Sequence, residues 1–239
     1  MDGWRTLMHK AEATHGVVTL DELVAHGCSP SRLHRMLDSG RLVRVASGTY
    51  RVAGAPDTFI AEVAAVVSSF AGFAWAARHT AARLWALGLW GRARQIEVVR
   101  PYELSRTRAG VLVHRTRRLD DHHLAIVDGI PVTSPARTLF DLAASTGPVR
   151  LNRAISTAIH RDDVPCTIGA LYRVLYDLGG RGRPGTRRMR EVLDRIGDER
   201  LAAMDLEVKR YDWADITRGG DGVVAELTGL IARSTPAAG

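Results

Sequence analysis

The order of helix signals in the first fifty residues constrains this chain more than any other feature. Trp4, Leu7, Met8 and Ala11 recur at helical spacing and predict an amphipathic helix, which Gly16 ends ahead of a short β-prone run, Val17 to Thr19. Thr19 and Glu22 stand three residues apart, as a reciprocal capping box requires. A second helix therefore starts there, buries Leu20, Leu23 and Val24, and closes at Gly27. Ser29 is a good N-cap and Pro30 occupies the first helical position, where a missing N–H costs nothing, so a third helix runs to about Ser39. Leu33, Met36 and Leu37 face inward on it, Ser31, Arg32, His34, Arg35 and Asp38 face outward, and Gly40 supplies a left-handed stop.

Two β-rich runs follow, Arg41 to Val45 and Thr49 to Val52, around the glycine-containing turn Ala46-Ser47-Gly48. Helix, short strand, helix, turn, helix and hairpin in that order is the layout of a winged helix-turn-helix, expected over residues 1–52. In such a domain the third helix enters the major groove of double-stranded DNA. Arg32 and Arg35 would reach base edges and Arg44 and Ser47 phosphates, with Ser29, Ser31, His34 and Arg51 completing the expected DNA-binding set. The competing reading is a small helical domain whose arginines are simply solvated.

Composition decides less. The formal charge of +7 fits a polyanionic partner, and because Lys10 and Lys209 are the only lysines, nearly all of the positive charge is guanidinium. That suits phosphate or guanine contacts, yet it equally follows from a GC-rich coding sequence. Cys28 and Cys166 have no partner cysteine or histidine at zinc-finger spacing, so no disulfide framework, structural metal or cofactor is expected, and a reducing, cytoplasmic setting fits. No signal-peptide-like start and no apolar run of membrane-spanning length is present, so no membrane association is expected.

Beyond the linker Ala53 to Pro56, alanine-rich apolar helices at Phe59 to Phe70 and Thr80 to Leu89 need a second core. β-rich segments at Ile96 to Val99, Val111 to Val113 and Gly129 to Thr133 lead into a helix, Pro135 to Ala144, capped by Ser134. The expected fold class is therefore α+β: a winged helix-turn-helix, a mixed middle domain over 58–195, and a helical and short strand-helix tail over 196–239.

The run Arg41 to Val52, the segment His79-Thr-Ala-Ala82, the strand Val113-His-Arg115 and above all the stretch Asp128 to Ala143 resemble the AbiEi-type antitoxin family. The likeness covers about residues 1–195. It implies a winged helix that binds an inverted-repeat operator and represses its own operon, a second domain for oligomerisation or toxin antagonism, and a nucleotidyltransferase toxin as partner. A homodimer would match such an operator. Many members continue into an endonuclease domain similar to the very-short-patch-repair nucleases; here Trp213 to Ile216 and Val223 to Ala232 resemble only its last strand and helix. The acidic and Glu-x-Lys-like residues that would hold Mg²⁺ have no room between Arg190 and Asp198, so residues 196–239 read as a remnant, and no catalytic or metal-binding residue is assigned. The chain is thus expected to be a regulator and not an enzyme, the alternatives being an endonuclease-like protein or a toxin-binding scaffold without DNA specificity.

Three polar groupings have duller explanations. Asp120-Asp121-His122-His123 reads as an exposed loop, since no complementary metal ligands stand near it in sequence. His79 and His114 read as structural histidines. The loop Gly179 to Gly185 with Arg187, Arg188 and Arg190 lacks the ending of a phosphate-binding P-loop, and these arginines, like Arg115, Arg117 and Arg118, are either solvated or extra phosphate contacts.

Overall fold

A computed structural model describes residues 2–89, 95–104, 107–180, 182–203, 222–225 and 228. The chain forms two compact units, 1–193 and 194–239. The first is a mixed α+β body whose N-terminal portion is a winged helix.

Helix α1 (Asp2–Ala13) leads into β1 (Val17–Thr19), α2 (Leu20–Ala25) and α3 (Pro30–Asp38), and then into the hairpin β2 (Leu42–Ala46) and β3 (Thr49–Val52). The capping box forms: Glu22 N–H donates to Thr19 Oγ1 at 3.2 Å, and Thr19 N–H donates to the Glu22 carboxylate at 2.9 Å. Burial pushes the Glu22 carboxyl up, but the Lys10 ammonium 2.6 Å away and the Thr19 donors outweigh it and hold the group below its ordinary value. Strand β3 lies between β1 and β2, both antiparallel to it. Leu7, Ala11, Val18, Leu23, Cys28, Met36, Leu42 and Tyr50 close the core beneath this sheet.

Helix α4 (Phe59–Ser68) packs on the small sheet as well as on the larger one behind it. That sheet comprises β4 (Trp75–Ala76), β5 (Ile96–Pro101), β6 (Val111–Thr116), β7 (Leu124–Val127) and β8 (Ile130–Thr133), in the order β6-β5-β4-β8-β7. Helix α5 (Arg78–Leu84) lies between β4 and β5, and is shorter and earlier than the apolar run Thr80 to Leu89 suggests. Asp128 and Gly129 both take positive φ, 49° and 77°, and close the β7–β8 hairpin. A side chain at residue 129 would also crowd the Ala13 carbonyl at 3.0 Å, so glycine satisfies both the turn and the approach of α1. His15 Nε2 meets the Asp128 carbonyl at 2.8 Å, joining the same two regions.

Helices α6 (Pro135–Ala143), α7 (Pro148–Ile159), α8 (Ile168–Leu178) and α9 (Thr186–Ala203) complete the described secondary structure of any length. Ser134 caps α6 by accepting from Arg137 N–H. Arg188 Nη1 donates to the carbonyls of Ala143, Ala144 and Thr146 at 2.8–3.2 Å, so this arginine satisfies the end of α6. In the second unit, residues 222–225 and 228 are helical; the segment Trp213 to Ile216 and most of Val223 to Ala232 lie outside the described residues.

Candidate nucleic-acid interface

The outer face of α3 is built by its two ends. Ser29 Oγ accepts from Arg32 N–H at 3.3 Å, fixing where the helix begins. Gly40, at φ 68°, turns the chain back so that Arg41 N–H reaches the Met36 carbonyl at 2.9 Å. With Met36 buried and Leu33 and Leu37 half-buried, about 100° per residue places Ser31, Arg35 and Asp38 at the centre of the solvent side. His34 lies on one flank, 3.3 Å from the Asp38 carboxylate. Arg32 and Ser39 lie on the other flank, toward α1, with the Arg32 guanidinium 5.1 Å from the centre of the Trp4 ring.

The wing carries the remaining expected residues. Arg44 is exposed and rests over the Tyr50 ring at 5.6 Å, its cross-strand partner. Ser47 is exposed at the turn and borders a cleft of about 590 Å³ shared with Thr19 to Asp21, the end of α4 and Gly129. Arg51 is half-buried and ion-paired with Asp57. Ser31, Arg32, His34 and Arg35 thus share one helix, while Arg44 and Ser47 lie on the hairpin and Arg51 faces the linker.

The middle of the first unit joins polar residues that are remote in sequence. Glu97 on β5, only 5 % exposed, accepts from His79 Nδ1 at 2.6 Å and His114 Nε2 at 2.7 Å, with Arg78 Nε at 3.3 Å. Burial pushes the Glu97 carboxyl up, yet the two histidine donors prevail and hold it below its ordinary value. Arg78 holds this position at φ 50°, with Nη1 on the Asp141 carbonyl at 2.9 Å.

A second junction brings Asp177 of α8 to the loop before β7. His122 Nε2 is 2.5 Å from Asp177 Oδ2, and His123 Nε2 is 3.5 Å from the same atom. These groups and Asp120 lie close enough together to suit a metal ion. His123 Nδ1 accepts from Asp120 N–H at 3.3 Å and faces Arg137 Nη1 at 3.4 Å, while its buried Nε2 has no hydrogen-bond partner among the described residues. The His122–Asp177 pair is what joins this loop to α8. Sequence spacing could not reveal it, because Asp177 is remote along the chain. Arg118 also donates to the Asp177 carbonyl, whereas Arg115 and Arg117 both lie over Tyr102, at 5.1 and 4.8 Å.

No described helix is long and apolar enough to cross a membrane. Residues 5–53 match a protein family described as transcriptional regulator, AbiEi antitoxin. No curated protein matches the chain. Among solved structures, the RV2827C protein from Mycobacterium tuberculosis is similar over 87% of this chain and 82% of that one, with a TM-score of 0.53 and 19% identity, a likeness of fold.

Proposed function

We propose that this chain is a sequence-specific DNA-binding regulator of the antitoxin type, which represses its own operon through α3 and the wing and is no enzyme. The observation that carries the reading is the outer face of α3. It is exposed, arginine-bearing and fixed in register by Ser29 and Gly40, inside the segment that matches a family of transcriptional regulators. Ser31 and Arg35 read base edges from the centre of that face, His34 assists from its flank, Arg44 and Ser47 approach phosphates from the hairpin, and Arg51 joins them on exchanging its Asp57 partner for a phosphate oxygen. Ser29 acts through its cap.

In this reading the protein works in the cytoplasm, a homodimer spans an inverted repeat, and the body behind the winged helix engages a nucleotidyltransferase toxin. A gel-shift assay with the DNA upstream of the gene, at two salt concentrations, tests the regulator. One fragment is expected to be retained over competitor, with affinity falling steeply as salt rises. Equal retention of all fragments would overturn sequence specificity. Intact supercoiled plasmid after incubation with Mg²⁺ or Mn²⁺ is the expected companion result.

A further inference from the structure

Between α1, the flank of α3 and the base of the wing lies an open groove of about 920 Å³. Trp4, Met36 and Val52 give it an apolar wall, and Arg32, Arg35 and Arg41 give it three guanidinium groups. Among the described residues no carboxylate is ion-paired with any of the three. The one acidic group on the exposed face of α3, Asp38, is turned to His34 on the opposite flank. One guanidinium is held in place, and the backbone that carries another is fixed. Arg32 rests on the Trp4 ring, and the backbone of Arg41 is tied at both ends, its N–H to Met36 and its carbonyl to Ala53 N–H at 2.9 Å. Uncompensated guanidinium groups beside an apolar wall, one of them preset by its ring, suit a phosphodiester, whose oxygens take paired N–H donors while its sugar covers the wall.

We propose that this groove is a backbone-phosphate site and that Arg32 and Arg41 hold DNA independently of sequence, leaving base reading to Arg35 at the centre of α3. The assignment rests on the DNA-binding reading above. It moves Arg32 from base edge to backbone, adds Arg41, and makes Trp4 a positioning residue for the Arg32 guanidinium.

Fluorescence anisotropy with a cognate and an unrelated duplex, over a series of salt concentrations, tests it on the full chain. Arg41→Ala and Arg32→Ala are each expected to weaken both duplexes by the same factor and to reduce the slope of log affinity against log salt by about 1. Arg35→Ala should instead narrow the gap between the duplexes. Trp4→Phe, which keeps a ring under Arg32, should lie closer to the wild type than Trp4→Ala. If Arg32→Ala and Arg41→Ala leave the slope and both affinities unchanged while Arg35→Ala still erases discrimination, the groove assignment fails and the regulator reading stands. If the wild type binds neither duplex at low salt, both fail. If inorganic phosphate at constant ionic strength raises the wild-type melting temperature, Arg41→Ala removes that shift, and DNA affinity is equal in the two proteins, the groove serves a free anion and the backbone assignment is overturned.

Discussion

At the level of single residues, burial and charge make different demands on three groups. Arg35 is exposed and, among the described residues, ion-paired with nothing. Arg35→Ala should therefore leave thermal stability nearly unchanged while costing about 1–3 kcal/mol of binding at the cognate site, measured against unrelated DNA. Glu97 is the reverse case. Its two histidine donors and Arg78 point at one buried carboxylate, so Glu97→Gln should lower stability by about 1–3 kcal/mol in urea unfolding and leave DNA affinity intact. His123, wholly buried beside Arg137 and His122, is driven from its ordinary 6.5 down to about 4. Between those values the unfolded chain takes up a proton that the native protein refuses, so stability is full above about 6.5 and falls as pH drops toward 4, by at most about 3 kcal/mol. The lowered carboxylates Asp177 and Glu97 also weaken the fold on acidification, but only below the ordinary carboxylate values. A urea midpoint equally steep between pH 7 and 5 in His123→Gln and wild type would remove this role from His123.

Among the secondary-structure elements, legibility followed the range of the forces involved. The caps of α2, α3 and α6 are made by side chains within three residues of the backbone they satisfy, so Thr19, Ser29 and Ser134 announce them in sequence. The β7–β8 turn is equally local, because Asp-Gly suits two successive positive φ values, yet the hairpin goes unread since no strand is expected over Leu124 to Val127. The short strand β4 is not local: two residues, Trp75 and Ala76, become a strand only because β5 and β8 flank them. For the same reason the Glu97 and Asp177 junctions stayed hidden, since each depends on strands and helices far apart in the chain. In the proposed DNA-binding region, the face of α3 could be read from its periodicity, while the stacking of Arg32 on Trp4 required knowing how α1 crosses it. A local device should fail locally. Ser29→Ala is expected to lower stability by about 1 kcal/mol and to weaken DNA binding beyond that through fraying of the start of α3. Ser29→Gly, which costs only a few tenths, should largely restore both, and equal loss in the two variants would show that the hydroxyl does something other than cap.

For the molecule as a whole, the winged helix is continuous with the larger sheet and its helices. Helix α4 lies against the small sheet, His15 meets Asp128, and Gly129 approaches Ala13 so closely that a methyl group would crowd the carbonyl. Ala61, Val63, Ala64, Ala65 and Val67 are buried over more than half the circumference of α4, with Glu62 on the exposed side, so removing either neighbour would expose apolar surface. A sequence reading that places a linker at Ala53 to Pro56 predicts a detachable reading head, whereas burial on this scale predicts that head and body unfold together. Urea unfolding of residues 1–193 should then give one transition, with tryptophan fluorescence and far-ultraviolet circular dichroism coincident. Gly129→Ala should shift that whole transition, since it strains the positive-φ turn and crowds α1 at once, by about 1–3 kcal/mol. Two separated transitions, with only the later one moved by Gly129→Ala, would instead mean that the winged helix folds by itself. A single transition ties α3, the helix proposed to read DNA, mechanically to the body behind it, so a partner bound there has a physical route by which to alter affinity for the proposed operator.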